Sequence, residues 1–377
     1  MNSTSVTGQL AGRRRGRGSL HRVTWAASAA LCALAVVALG AAAAALASTA
    51  PSMNTVGNDT NIAVQGPNHS LHFYWAINGT PGWNPEKITG AGTTYSAPSM
   101  TPSGNKVDIA VQGPGHSLDL YSATDGVPGW HPKQIAGGGT TYSAPSITTS
   151  PISTIIAVQG PNHSLLFYWA ANGSPRWHRE QVAGPGTTYS APSMTTTSND
   201  VFIAVAGPSH NLSFYWAVDG VPGWNPEQVA GADTTYSAPS ITTTSSLVVI
   251  AAAGPSHSLD FYWQVLGGAT WNLEQAAGAG TTYSAPSMTA TSSDLFITAT
   301  GASHSLRFYW QVLGAATWNP EQAAGAASTY SAPSITTNSA GTNIAAAGPG
   351  GSLDFYWQLF NSTTWNPEQV APPGSVG

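Results

Sequence analysis

Cysteine occurs once in 377 residues, and charged side chains make up only 7% of the chain. The single Cys32 lies in an N-terminal segment that reads as a removable leader, so the mature chain has neither thiol nor disulfide. That excludes the small disulfide-stapled scaffolds and thiol chemistry, and leaves burial and backbone pairing to hold the fold. The remaining residues, about 330 of them, are enough for a large core. Positive charge is also scarce. Five of the 11 Lys+Arg (Arg13, Arg14, Arg15, Arg17 and Arg22) fall within residues 1–47, which hold none of the 16 Asp+Glu. Six basic against 16 acidic residues then leave the rest with a formal charge of −10, which argues against a nucleic-acid face or adhesion to anionic lipid. Segments of helical periodicity are missing too.

No metal motif, nucleotide loop or nucleophile triad can be found, and no cofactor is expected. The acids are spread one or two to a segment, whereas glycoside hydrolysis needs two carboxylates converging on one bond. An enzyme is therefore not expected.

Two segments organise what is present. After Arg22 the apolar run Val23–Ala47 ends in Ala45-Leu46-Ala47, the pattern of a secretory signal peptide with an A-x-A cleavage site. The run is also long enough for an uncleaved signal anchor, which would be the only membrane contact. Residues 48–377 are a 47-residue unit written seven times. Trp83, Trp130, Trp177, Trp224, Trp271, Trp318 and Trp365 mark it, as do Tyr95, Tyr142, Tyr189, Tyr236, Tyr283 and Tyr330. A fixed period of this length signals a repeat architecture.

Each unit holds four short β-rich runs separated by turn residues. In residues 189–235 these are the stretch after Ser190-Ala191-Pro192-Ser193, then Val201–Gly207, Leu212–Val218 and Trp224–Val229. One unit makes a four-stranded antiparallel sheet with two faces to cover. Seven in a ring cover both faces of each, and the end units lack the polar caps that an open solenoid needs. The fold class expected is all-β, a seven-bladed β-propeller. Alternating strand direction puts the turn between strands two and three on the same face as the blade-joining linker. These two loops are nearly uniform among the units, whereas the loops between strands one and two vary.

The uniform face carries His69, His116, His163, His210, His257 and His304 in its turns, and the six tyrosines in its linkers. Unit seven has Gly350-Gly351 in place of Ser-His, and its joint to unit one has no Tyr-Ser, Ser48-Thr49 standing at those positions. Both features vanish at one seam, as expected of groups that act together across a blade junction. These twelve residues are candidate sugar contacts, with blade-to-blade packing as the plainer alternative. Trp83, Trp130, Trp177, Trp224, Trp271 and Trp318 open the outermost strands and are candidates as stacking platforms. Mid-strand tryptophans such as Trp75 read as core. Glu86, Glu180, Glu227, Glu274, Glu321 and Glu368 could accept sugar hydroxyls, though an outer-strand charge in water is the favoured reading. Histidines 47 residues apart with no carboxylate beside them do not suggest a metal.

The grammar of the unit is Ser-Ala-Pro-Ser, Ile-Ala-Val-x-Gly, Ser-Leu-x-Phe-Tyr-Trp and Trp-Asn-Pro-Glu. Over residues 48–377 it resembles the PLL-type bacterial lectins, seven-bladed propellers that bind fucose and related sugars between blades. The chain departs from them in its Phe-Tyr-Trp strand and its turn histidine. The resemblance implies secretion and several equivalent sugar sites, with glycans or glycoconjugates as partners. The alternative function is a non-enzymatic extracellular protein-interaction scaffold. It would use one asymmetric patch among the diverged loops near Gly104–Lys106 or Pro151–Thr154.

Overall fold

The computed structural model describes residues 49–377 apart from 79, 81, 125 and 126. The expected leader 1–47, with its cleavage or anchoring, lies outside the described residues. The described residues form seven four-stranded sheets, each built from one repeat with its strands in sequential order. Blade four is representative: Ser193–Thr196, Asp200–Ala206, Leu212–Val218 and Asn225–Ala230, from the inside of the ring outward, all antiparallel. The sequence reading placed these runs to within one or two residues.

Both faces of a blade are buried, so alternate residues of one strand serve different junctions. Val201, Ile203, Val205 and Tyr215 pack with Ile155, Leu165 and Phe167 of blade three. Phe202, Ala204, Leu212 and Phe214 pack with Ile250 and Tyr262 of blade five. This is why the second strand reads as an unbroken apolar run rather than an alternating one. Seven such clusters occur, one at each junction, and the one joining Ala345, Leu353 and Phe355 to Met53, Ile62 and Tyr74 closes the ring.

The Ser-Ala-Pro-Ser motif stitches the inner strands together. Its second serine accepts a hydrogen bond from a backbone N–H of the next blade. Examples are Met100 N to Ser52 Oγ (3.0 Å), Met194 N to Ser146 Oγ (3.1 Å) and, across the closing seam, Met53 N to Ser334 Oγ (3.1 Å). Inner strands have no backbone neighbour on that side, so a short hydroxyl satisfies a donor that burial would otherwise leave unpaired.

Closure needs no exchanged strand. Gly377 N donates to Gln65 O (3.0 Å), as Tyr95 N does to Gln112 O (2.8 Å), and Thr49 N donates to Gly377 O (2.9 Å). The linker-tyrosine position of this seam is therefore filled by Gly377, not by Ser48 as sequence phase suggested.

Candidate functional site

On the uniform face, called the upper face (the variable one being the lower), each turn is a single 3-10 turn with left-handed residues at its end. In blade four these are Ser209 (φ 55°) and His210 (φ 57°). A left-handed conformation costs a non-glycine residue roughly 1–2 kcal/mol. The following linker offsets that cost. Asp233 N donates to Ser209 O (2.9 Å), while Thr234 N and Thr235 N both donate to His210 O (3.0 and 2.8 Å). The same clamp recurs at each junction and fixes where the histidine and tyrosine side chains emerge.

It brings them face to face. His69–Tyr95, His116–Tyr142, His163–Tyr189, His210–Tyr236, His257–Tyr283 and His304–Tyr330 are all stacked, with ring centroids 4.2–4.6 Å apart and planes within 20°. All six histidines are exposed, and five of the tyrosines, all but Tyr330, show 43–50% of their surface. Twelve of the candidate residues thus form six pairs on one face. At blade four, two successive stacks flank a cleft of about 340 Å³, lined by Tyr189, Tyr236 and His210 and floored by Ala206 and Gly207.

The floor differs among blades. In blades one to three the second strand ends in glutamine. Gln65 Nε2 lies 2.6 Å from His69 Nδ1 and 2.7 Å from Thr94 O, and Gln112 and Gln159 repeat the pattern. One amide nitrogen donates to both groups, so Nδ1 accepts and the imidazole proton sits on Nε2, facing out. Blades four, five and six have Ala206, Ala253 and Thr300 at this position.

The seventh junction supplies an internal control. Gly374 N donates to Gly350 O (2.9 Å), and Ser375 N and Val376 N donate to Gly351 O (3.0 and 2.9 Å). The backbone clamp is complete there without histidine or tyrosine.

The candidate tryptophans lie elsewhere. They follow the loops between strands three and four, near the opposite face, and are not brought to the His–Tyr stacks. Trp83, Trp130, Trp224, Trp271 and Trp318 set an edge against a phenylalanine of the preceding blade, at 4.9–5.0 Å and 68–73°. Trp177 packs on Leu118 and Leu120 instead. All six are half-buried.

The glutamates do more than stand in water. Glu86 accepts Trp75 Nε1 on one oxygen (3.1 Å) and Trp130 Nε1 of the next blade on the other (3.0 Å). Glu227 does the same with Trp216 and Trp271 and also accepts Gln264 Nε2 (3.2 Å). Glu321 and Glu368 brace their junctions alike. Strand register could have revealed this: Trp75 pairs with Asn84, which sets Glu86 two residues along the neighbouring strand. In blade two Lys133 replaces the glutamate, and its Nζ donates to Pro175 O.

Burial raises the carboxyl pKa values of Asp108, Asp119, Asp260 and Asp354. It also raises the phenols of Tyr262 and Tyr356 to about 12, with the nearby Asp260 and Asp354 adding to the effect. Among the described residues no group of three or more His, Cys, Asp and Glu could hold a metal ion, and no helix is long and apolar enough to cross a membrane.

The sequence matches no protein-family model and no curated protein. The fold is similar to that of solved lectins. The BP39L lectin of Burkholderia pseudomallei superposes with a TM-score of 0.78 at 19% identity, over 86% of this chain and 99% of that one. The fucose-specific lectin of Aleuria aurantia gives 0.52 at 13% identity, over 87% and 97%. The SapL1 lectin, solved in complex with α-methyl fucoside, gives 0.52 at 10% identity, over 86% and 97%.

Proposed function

We propose that the protein is a secreted, multivalent carbohydrate-binding protein, a lectin, that seats monosaccharide units such as fucose in the upper-face clefts flanked by His–Tyr stacks. One observation carries the reading. The seventh junction makes the full backbone clamp with glycines, so the stacks are not required to join blades. Six aromatic pairs nevertheless stand at the other six junctions, five of them with both rings exposed. An aromatic face offers the apolar C–H side of a pyranose a surface, and an imidazole N–H and a phenol at its edge offer hydroxyl partners. Single sugar sites are weak, and rigid repetition raises avidity by roughly 10²–10⁴ where the target is itself multivalent. The fucose named for the Aleuria and SapL1 lectins is the first sugar to try.

A broad glycan array, probed with the wild type and with a variant carrying Tyr→Ala at all six linker tyrosines, tests the proposal. Saturable binding to a defined sugar class that the variant loses is the expected result. A blank array with folded protein would favour the interaction scaffold, and sugar binding that survives the variant would place it outside the His–Tyr clefts.

A further inference from the structure

The junction between blades three and four keeps its glutamate but has lost the lower-face brace to the next blade. Glu180 accepts Trp169 Nε1 on one oxygen (2.9 Å), but no indole or glutamine of blade four reaches the other. At four junctions that second oxygen accepts the next blade's tryptophan. At the junction of blades five and six Glu274 takes Gln311 instead (3.1 Å), and Trp318 Nε1 is buried without a partner, but there the glutamine occupies the glutamate's second oxygen. Here the glutamine position is Ala217, and Trp224 Nε1 is left buried without a partner. Asp219 Oδ2 is buried and unpartnered as well. A buried polar atom left without a hydrogen bond is unfavourable, so two of them beside a carboxylate oxygen that no protein donor reaches call for an explanation.

Glu180, Asp219 and Trp224 line a single cleft of about 160 Å³ with Trp169, Phe167 and Val221. That is roughly the share of five liquid waters, room for one small ring but not a chain. Exposed Ile152 and Val218 belong to its apolar lining. Gly220 (φ 75°) closes the loop over Ile152: a side chain there would sit 3.2 Å from Ile152 Cδ1. The groups call for one donor–acceptor set. A hydroxyl can accept from Trp224 Nε1 while donating to Glu180, and an adjacent hydroxyl can donate to Asp219. A cation would leave the indole donor unanswered, and an anion would oppose both carboxylates.

We propose that this cleft is a second, single-copy binding site for a neutral ring carrying adjacent hydroxyls, separate from the upper-face clefts. It stands whether or not those clefts bind sugar. The test is titration of the ¹⁵N-labelled protein with cyclohexane-1,2-diol and with a panel of methyl pyranosides, following the Trp224 indole N–H. The expected result is a saturable shift of that signal with the Trp271 indole unmoved. Ala217→Gln installs the residue that blades five to seven already accommodate, and should weaken the response at least tenfold without loss of fold. Glu180→Gln combined with Asp219→Asn should abolish it, and Tyr236→Ala should leave it unchanged. A Trp224 signal that no diol or pyranoside moves means the cleft holds water only and overturns the proposal. So does a response that Ala217→Gln leaves intact.

Discussion

Blades one to three and blades five to seven are filled in opposite places. The first three carry Gln65, Gln112 and Gln159 beneath the upper-face histidines and alanine at the lower position (Ala76, Ala123 and Ala170). The last three reverse this, with Ala253, Thr300 and Ala347 above and Gln264, Gln311 and Gln358 below. Blade four belongs to neither set, having Ala206 above and Ala217 below. Both clefts described above border this blade. A fold repeated seven times can thus be varied site by site by one buried side chain per face, with the backbone untouched.

The largest expected effect tests whether blade four is open because it is poorly packed. Phe214 is 1% exposed and Phe261 2%, so Phe214→Ala in blade four and Phe261→Ala in blade five should each cost about 3–5 kcal/mol in denaturant unfolding. A markedly cheaper loss at Phe214 would mean that the clefts come from loose packing instead.

Next in size are exchanges that convert one set into the other. Ala206→Gln should narrow the upper cleft of blade four and move about one sugar from the tighter calorimetric class to the weaker. Converting Gln65, Gln112 and Gln159 together to alanine should move three sugars the other way. Unchanged classes in both would break the link between the glutamines and binding.

A smaller effect is expected at the braces. Glu227 receives three donors and Glu86 two, and both meet solvent. Glu227→Ala should therefore cost on the order of 1–2 kcal/mol and Glu86→Ala less, read as the difference in unfolding midpoints. Blade two, with Lys133 at this position, should respond least to its own alanine substitution.

The smallest concerns pH. Burial raises the Asp108 carboxyl above its ordinary 3.8 despite the bond from Ser122 and the nearby Lys106. Its folded state therefore binds the proton more tightly than the unfolded chain does. The stabilisation this gives is full below 3.8 and is lost as pH rises through the raised folded value. Asp108→Asn should accordingly raise the melting temperature slightly at neutral pH and make no difference in acid. An equal gain at both ends would place its origin outside titration.

The fold was legible because a blade buries both faces of its middle strands, so these had to be apolar, short and separated by turns, and the 47-residue step counted the blades. The His–Tyr pairs were legible through their joint loss at the seventh seam. The tryptophans were grouped with them because an indole suits a sugar ring, a residue-type argument that cannot tell one end of a blade from the other. Their place at the opposite end follows from the direction of the outermost strand. The glutamine sets escaped notice because a Gln-to-Ala change at a buried strand end looks like drift until the repeats are compared position by position. The glutamate braces escaped it because their partners come from a neighbouring strand and a neighbouring blade.

Calorimetric titration of the protein with the sugar that performs best on the array bears most directly on the central claim. Several sugars per chain are predicted, in two classes, with the tighter class matching the three glutamine-free His–Tyr clefts of blades four to six. No heat with any sugar, or a single site indifferent to the linker tyrosines, would contradict it.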